Sequence, residues 1–142
     1  MELSGKSNIN PQLWGPYFWQ TFHFTAFGYP EEPNEMDKDV YSKFFENFMK
    51  ILPCDKCSVS SQELYSEAEL QDALESRDKL IRWSYDFHDK VNKKLDKKSP
   101  TFEKFLYNFQ NRNKDKNIYK YLWFLVLLLI IGLIMHYTSN NP

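Results

Sequence analysis

The chain has 142 residues, a formal net charge of −1 and 18% aromatic side chains. That length fits one domain with an appendage, and the interleaving of basic with acidic residues excludes the clustered positive face of a nucleic-acid binder. Two cysteines are too few for a disulfide scaffold, and they do not by themselves place the chain outside a reducing compartment.

Residues 1–11 are polar and hold no apolar run, so no signal peptide is expected. Asn10-Pro11 reads as a helix cap followed by proline at the first helical position; Pro16, after Trp14-Gly15, is an equally good start. Trp19, Phe22, His23 and Ala26 then recur at helical spacing, and Gly28-Tyr29-Pro30 ends the helix. A second helix fits Met36 to Leu52, with Val40, Phe44, Phe48 and Ile51 in its apolar stripe. Pro53 suits the opening of a third, which carries Cys54 and Cys57 in its first turn and ends near Tyr65. Ser66 and Glu69 have capping-box spacing for a short helix to about Glu75. Ser76 caps the next, Arg77 to about Lys97, whose stripe is Leu80, Ile81, Ser84, Phe87, His88, Val91 and Leu95. Ser99-Pro100 stops it and begins another through about Phe109. No stretch alternates as a strand does. The predicted fold class is therefore all-α, a bundle of four to five helices over residues 1–109.

Residues 110–117 read as a polar linker. Tyr121 to Tyr137 carries no formal charge, and the run extends to Ile118 if Lys120 snorkels toward an interface. Tyr119, Tyr121, Trp123 and Tyr137 lie near its ends, where an aromatic belt is expected. A buried core helix is the alternative, but no polar face is visible. Residues 118–137 are therefore expected to be a transmembrane anchor, with 138–142 a short tail. Arg112, Lys114, Lys116 and Lys120 lie on the domain side and no Lys or Arg lies beyond. The expected arrangement is a tail-anchored protein with its domain in the cytosol.

Cys54 and Cys57 stand three apart at a helix start, where the dipole lowers a thiol's pKa. That suits a dithiol that opens and closes as a disulfide. The same spacing is half of many zinc sites, but a structural zinc wants four ligands and only His23, His88 and His136 could add to it. Two inert buried thiols are the third reading, and the residues alone leave all three open. Trp19 and His23, one turn apart, can face one ligand or form a core tryptophan beside a satisfied histidine. His88 and Asn92 are a polar pair within an apolar stripe and need partners. Lys94 and Lys97 follow, and as a solvated helix end they would complement the dipole.

Three segments together resemble the Erv/ALR family of FAD-linked sulfhydryl oxidases: Trp14-Gly15-Pro16-Tyr17-Phe18-Trp19-Gln20-Thr21-Phe22-His23, then Pro53-Cys54-Asp55-Lys56-Cys57, then His88-Asp89-Lys90-Val91-Asn92-Lys93-Lys94-Leu95-Asp96-Lys97. Order and spacing agree over about Trp14 to Phe102. The chain departs from the family at Asp89, where asparagine is usual, and in lacking both the cysteine after the last motif and a shuttle pair. The resemblance implies a helical FAD-binding fold and a thiol oxidase with Cys54 and Cys57 as its catalytic pair. Electrons would pass from a protein dithiol, delivered by a thioredoxin-like carrier, through that pair and the flavin to oxygen, giving hydrogen peroxide. Gly15, Trp19, His23, Cys57, His88, Val91 and Asn92 would hold FAD, and Lys94 and Lys97 its diphosphate, with no metal. It also implies a homodimer through the first two helices. Small cysteine-poor versions are typical of large DNA viruses that replicate in the cytoplasm, which would make a virion or host membrane the destination. The alternative is a membrane-anchored helical binding module with a Cys/His metal site and no oxidase activity.

Overall fold

In the computed structural model the described residues are 5–112 and 115–140, without the side chains of 112, 115–120 and 138. They form seven helices and no strand: α1 Pro11–Phe27, α2 Glu35–Lys50, α3 Asp55–Leu64, α4 Glu67–Ala73, α5 Arg77–Lys94, α6 Phe102–Arg112 and α7 Asp115–Asn140. The chain divides into two compact units after Ser99, and each is described by itself.

Local capping sets most of the boundaries in the first unit. Asn10 caps α1 by accepting from Gln12 N–H, so Pro11 is the first helical residue and Pro16 lies inside the helix. Asn34 and Asp37 form a reciprocal capping box at α2, while Ser66 and Ser76 cap α4 and α5 through Glu69 N–H and Lys79 N–H. Each such cap satisfies a backbone donor that the helix cannot.

Three sequence expectations shift. The buried face of α2 is Phe45 and Met49, with Val40 and Ile51 exposed, so the stripe is rotated by about one residue from Val40-Phe44-Phe48-Ile51. Pro53 precedes α3 instead of opening it, and Cys54 is the N-cap residue, in extended backbone outside the helix. Finally α5 ends at Lys94. Asp96 takes a left-handed φ of 53° and its N–H bonds Lys93 C=O at 3.1 Å, while Lys97 N–H bonds Asn92 C=O at 2.9 Å. This is a Schellman stop, and it puts Lys97 beyond the helix that was expected to carry it.

The core of the first unit is aromatic. Phe22 of α1, Phe45 of α2, and Trp83 and Phe87 of α5 are all buried. Their rings meet edge-on and stacked, with centroids at 4.9 Å for Phe22–Phe45, 5.1 Å for Phe45–Trp83 and 5.7 Å for Trp83–Phe87. Such pairs add to the burial of large apolar area. α1 and α4 pack on α5, and α3 packs on both α2 and α5; this brings the cysteine helix against the helix that carries His88.

In the second unit α6 and α7 are in contact. Residues 110–112 are the end of α6 and Asp115 already begins α7, so much of the expected linker is helical. Among the described residues no helix is long and apolar enough to cross a membrane. The described side chains of 121–137 are all exposed. Residues 118–120 of the expected anchor, like the basic side chains Arg112, Lys114, Lys116 and Lys120, lie outside the described side chains.

Candidate functional site

Cys54 and Cys57 are joined as a disulfide with S–S 2.16 Å. The Cys54 sulfur also accepts the Cys57 N–H at 3.1 Å, so the reacting atom is itself the helix cap. Both residues are half-buried, and exposure alone does not distinguish them. Ser58, one residue on, is buried and donates to Met49 C=O at 2.9 Å, which ties the first turn of α3 to the end of α2.

The second group of residues converges from α1 and α5. Trp19 and His88 stack nearly parallel, centroids 3.7 Å apart and planes at 7°, and His23 lies over Trp19 at 5.9 Å. His23 Nε2 meets His88 Nδ1 at 2.9 Å, and His23 Nδ1 meets Ser84 Oγ at 3.2 Å. The direction of this chain follows from where the Ser84 hydroxyl points. The Ser84 hydroxyl donates to Ile81 C=O at 2.8 Å, so Ser84 Oγ accepts from His23 Nδ1–H. His23 Nε2 must then accept from His88 Nδ1–H, which leaves His88 Nε2 as an acceptor. Burial lowers the His23 pKa to about 3, with His88 adding to the effect. His88 is lowered to about 4, chiefly by burial, with Asp89 opposing and the Lys97 cation assisting. Both rings are neutral at pH 7.

Asn92 donates through Nδ2 to Ser99 Oγ at 3.0 Å, and Ser99 lies beside the Asp89 carboxylate, which the Lys93 ammonium holds 2.6 Å away. Lys93 and Ser99 together lower the Asp89 pKa, so the carboxylate that replaces the family's asparagine is neutralised locally. Val91 is half-buried. Lys94 pairs with Glu63 of α3 at 2.7 Å, an exposed ion pair worth at most about 1 kcal/mol and readily exchanged for a stronger anion. Gly15 stands one turn before Trp19 within α1, and a Cβ there would meet nothing within 4 Å. A mid-helix glycine costs about 1 kcal/mol against alanine, and no packing inside the chain requires it; the space suits a ligand at close approach.

These residues fit FAD: an aromatic face at Trp19, an imidazole acceptor at His88, an open cradle at Gly15, and a helix end with Lys94 and Lys97. Among the described residues no group of three or more His, Cys, Asp or Glu side chains is placed to hold a metal ion; His23 and His88 are engaged with each other. Sequence reasoning placed Ser84 in the stripe without a role, and did not foresee Ser99 or Glu63 as partners. Ser84 was detectable as a hydroxyl one turn before His88, in a face otherwise apolar.

Comparison with known proteins gives the same direction. The sequence profile of the Erv1/Alr family matches residues 16–117. A probable FAD-linked sulfhydryl oxidase of Acanthamoeba polyphaga mimivirus is 35% identical over 119 residues, 83% of this chain and 83% of the relative. An FAD-linked sulfhydryl oxidase of African swine fever virus is 29% identical over 107 residues, 75% of this chain and 80% of the relative. The mitochondrial FAD-linked sulfhydryl oxidase of Saccharomyces cerevisiae is 37% identical over 85 residues, 60% of this chain but 43% of the relative.

Proposed function

The chain belongs to the Erv1/Alr family, and from that premise we propose that it is an FAD-dependent thiol oxidase that forms disulfides in protein substrates. The observation that carries this reading is the Cys54–Cys57 disulfide at the start of α3, on a helix packed against the one that bears His88.

A substrate thiolate attacks the Cys54 sulfur, breaking the disulfide and releasing Cys57 as a thiolate in the first turn of α3, where the helix field favours negative charge. The second substrate thiol then attacks its partner sulfur in the mixed disulfide. Cys54 leaves as a thiolate that already holds the Cys57 N–H. The substrate departs with a disulfide and the pair holds two electrons. Bound FAD would supply the two-electron acceptor for that pair and the reaction with oxygen that gives hydrogen peroxide. Gly15, Trp19, His23, Cys57, His88, Val91 and Asn92 would line its rings. The neutral His88 would present a ring nitrogen to the ligand, while Lys94 and Lys97 would face the diphosphate. A thioredoxin-like carrier is the expected dithiol donor, since the chain has no further cysteine to act as a shuttle. Exposed Leu13 and Tyr17 on α1 and Met36 and Val40 on α2 support a homodimer through those helices.

The apolar run 118–137 is read as a membrane anchor. Its support is the stretch 121–137, which holds no Asp, Glu, Lys or Arg, and the basic flank on the domain side, which favours a cytosolic domain at a host or virion membrane. Protease protection on sealed membranes tests this topology, and a domain that survives digestion until detergent is added would reverse it. Oxygen uptake by the purified full chain on adding a reduced thioredoxin-like protein, with equimolar peroxide, tests the activity. A colourless protein that takes up no oxygen would end the oxidase reading.

A further inference from the structure

Ahead of α1 the chain runs back to the start of the cysteine helix as a strap. Ile9 N–H donates to Pro53 C=O at 2.9 Å, and Asp55 N–H donates to Asn8 Oδ1 at 2.9 Å. These two bonds grip the backbone on either side of Cys54. Asn8 Nδ2 and the Lys6 N–H both donate to the same carboxylate oxygen, Asp55 Oδ2, each at 3.3 Å. The strap is fixed at its other edge by the Trp14 indole N–H on Ile9 C=O at 2.9 Å, and by Lys6 Nζ on Lys50 C=O at 2.6 Å. Asn8 holds a left-handed φ of 49°, a conformation that asparagine and glycine tolerate and most residues do not.

We propose that Asn8 is a positioning residue of the Cys54–Cys57 couple, acting through Asp55 to favour the reduced, thiolate form; this rests on the redox role given to the pair above. Asp55 is the first residue of α3, and its carboxylate is the natural competitor for the amides at that helix start. It also places a negative charge one residue from a sulfur that must become a thiolate. Asn8 engages both groups of Asp55 at once, taking its N–H and donating to its carboxylate. The Cys57 N–H is thereby left to the Cys54 sulfur, and the carboxylate charge is held on the strap. The other charged groups nearby are Lys6, whose backbone N–H shares the carboxylate, Lys56 on the exposed side of α3, and Lys50, which is paired with Glu46. Asn8 is exposed, so its effect does not run through core packing.

The test is the equilibrium of the full chain with glutathione under anaerobic conditions: protein disulfide plus two glutathione gives protein dithiol plus glutathione disulfide. The dithiol fraction is read by mass-shift alkylation. Asn8→Gly keeps the left-handed backbone and removes the amide. It should shift the midpoint about tenfold toward the disulfide, equivalent to roughly 30 mV for a two-electron couple, and raise the apparent thiol pKa seen in thiolate absorbance. Asp55→Asn should shift both in the opposite direction, and in that background Asn8→Gly should change the midpoint by less than about twofold. An equal shift in both backgrounds would mean that the strap merely anchors the loop, and no shift in Asn8→Gly alone would remove the proposal outright. Neither readout requires oxygen consumption, so a failure of the oxidase reading would show separately as a protein whose couple responds but whose oxygen uptake is nil.

Discussion

At the start of α3 the Cys54–Cys57 pair is half-buried and held by an exposed strap, whereas between α1 and α5 His23, Ser84 and His88 close a chain of hydrogen bonds beside the stacked ring of Trp19. On the proposed reading the first region breaks and remakes a covalent bond with an incoming protein, and its support comes from the backbone. On the same reading the second presents a fixed face to a flat ligand. There, burial and a settled proton inventory matter more than access. The same small domain thus separates the part that changes from the part that must not.

The sharpest way to break this contrast is to remove a sulfur. Cys57→Ser and Cys54→Ser should each lower oxygen uptake by roughly a thousandfold or more, as loss of a reacting group does, while leaving the flavin spectrum of the purified protein in place. Retained activity in either would mean that the pair does not carry the electrons. Lys94→Ala probes the other region. Losing a charge-assisted contact of about 1.5–3 kcal/mol should weaken FAD retention by more than tenfold, whereas Lys93→Ala, which removes only the partner of Asp89, should do little. Equal effects in dialysis-retention measurements would show general electrostatics in place of a specific contact.

Acid stability tests whether the histidine region is sealed. With folded pKa values of about 3 for His23 and about 4 for His88 against 6.5, the unfolded chain binds protons that the folded one refuses. Stability is therefore fully present above pH 6.5 and falls on acidification from there toward pH 4, by at most about 1.4 kcal/mol per pH unit per histidine. Urea denaturation at pH 7.5 and 5.5 should show this loss, and His88→Gln should reduce it; a wild-type curve that is flat over that interval would mean the rings are solvated. The smallest expected effect is that of Ser84→Ala. It removes one buried acceptor from the chain and should cost about 1 kcal/mol of stability, together with a weaker hold on FAD.

Much of this was legible because it is local. Asn10, Asn34, Ser66 and Ser76 cap their helices through donors two or three residues away, and such signals survive in sequence alone. What was not legible depends on the third dimension. The His23–His88 bond joins residues 65 apart, and the Asn8–Asp55 pair residues 47 apart; no periodicity encodes either. Pro53 suits a helix start that would put Cys54 in the first turn, yet Cys54 is the cap, because a sulfur can accept a backbone N–H as a hydroxyl does. The pattern carries the helix of Lys94 on to Lys97, since Asp96 gives no warning that it will adopt the conformation more often taken by glycine. The buried face of α2 turned on Phe45 against Phe44, a choice between adjacent aromatics that only packing with Phe22 and Trp83 decides.

The most direct measurement is an anaerobic titration of the purified full chain with a reduced protein dithiol, followed in the visible spectrum and completed by admitting air. The oxidase reading requires a flavin band that bleaches in proportion to the dithiol added and returns in air, and bleaching that fails in both Cys54→Ser and Cys57→Ser. A flavin that the dithiol cannot bleach, or that bleaches equally well without these two sulfurs, would contradict it.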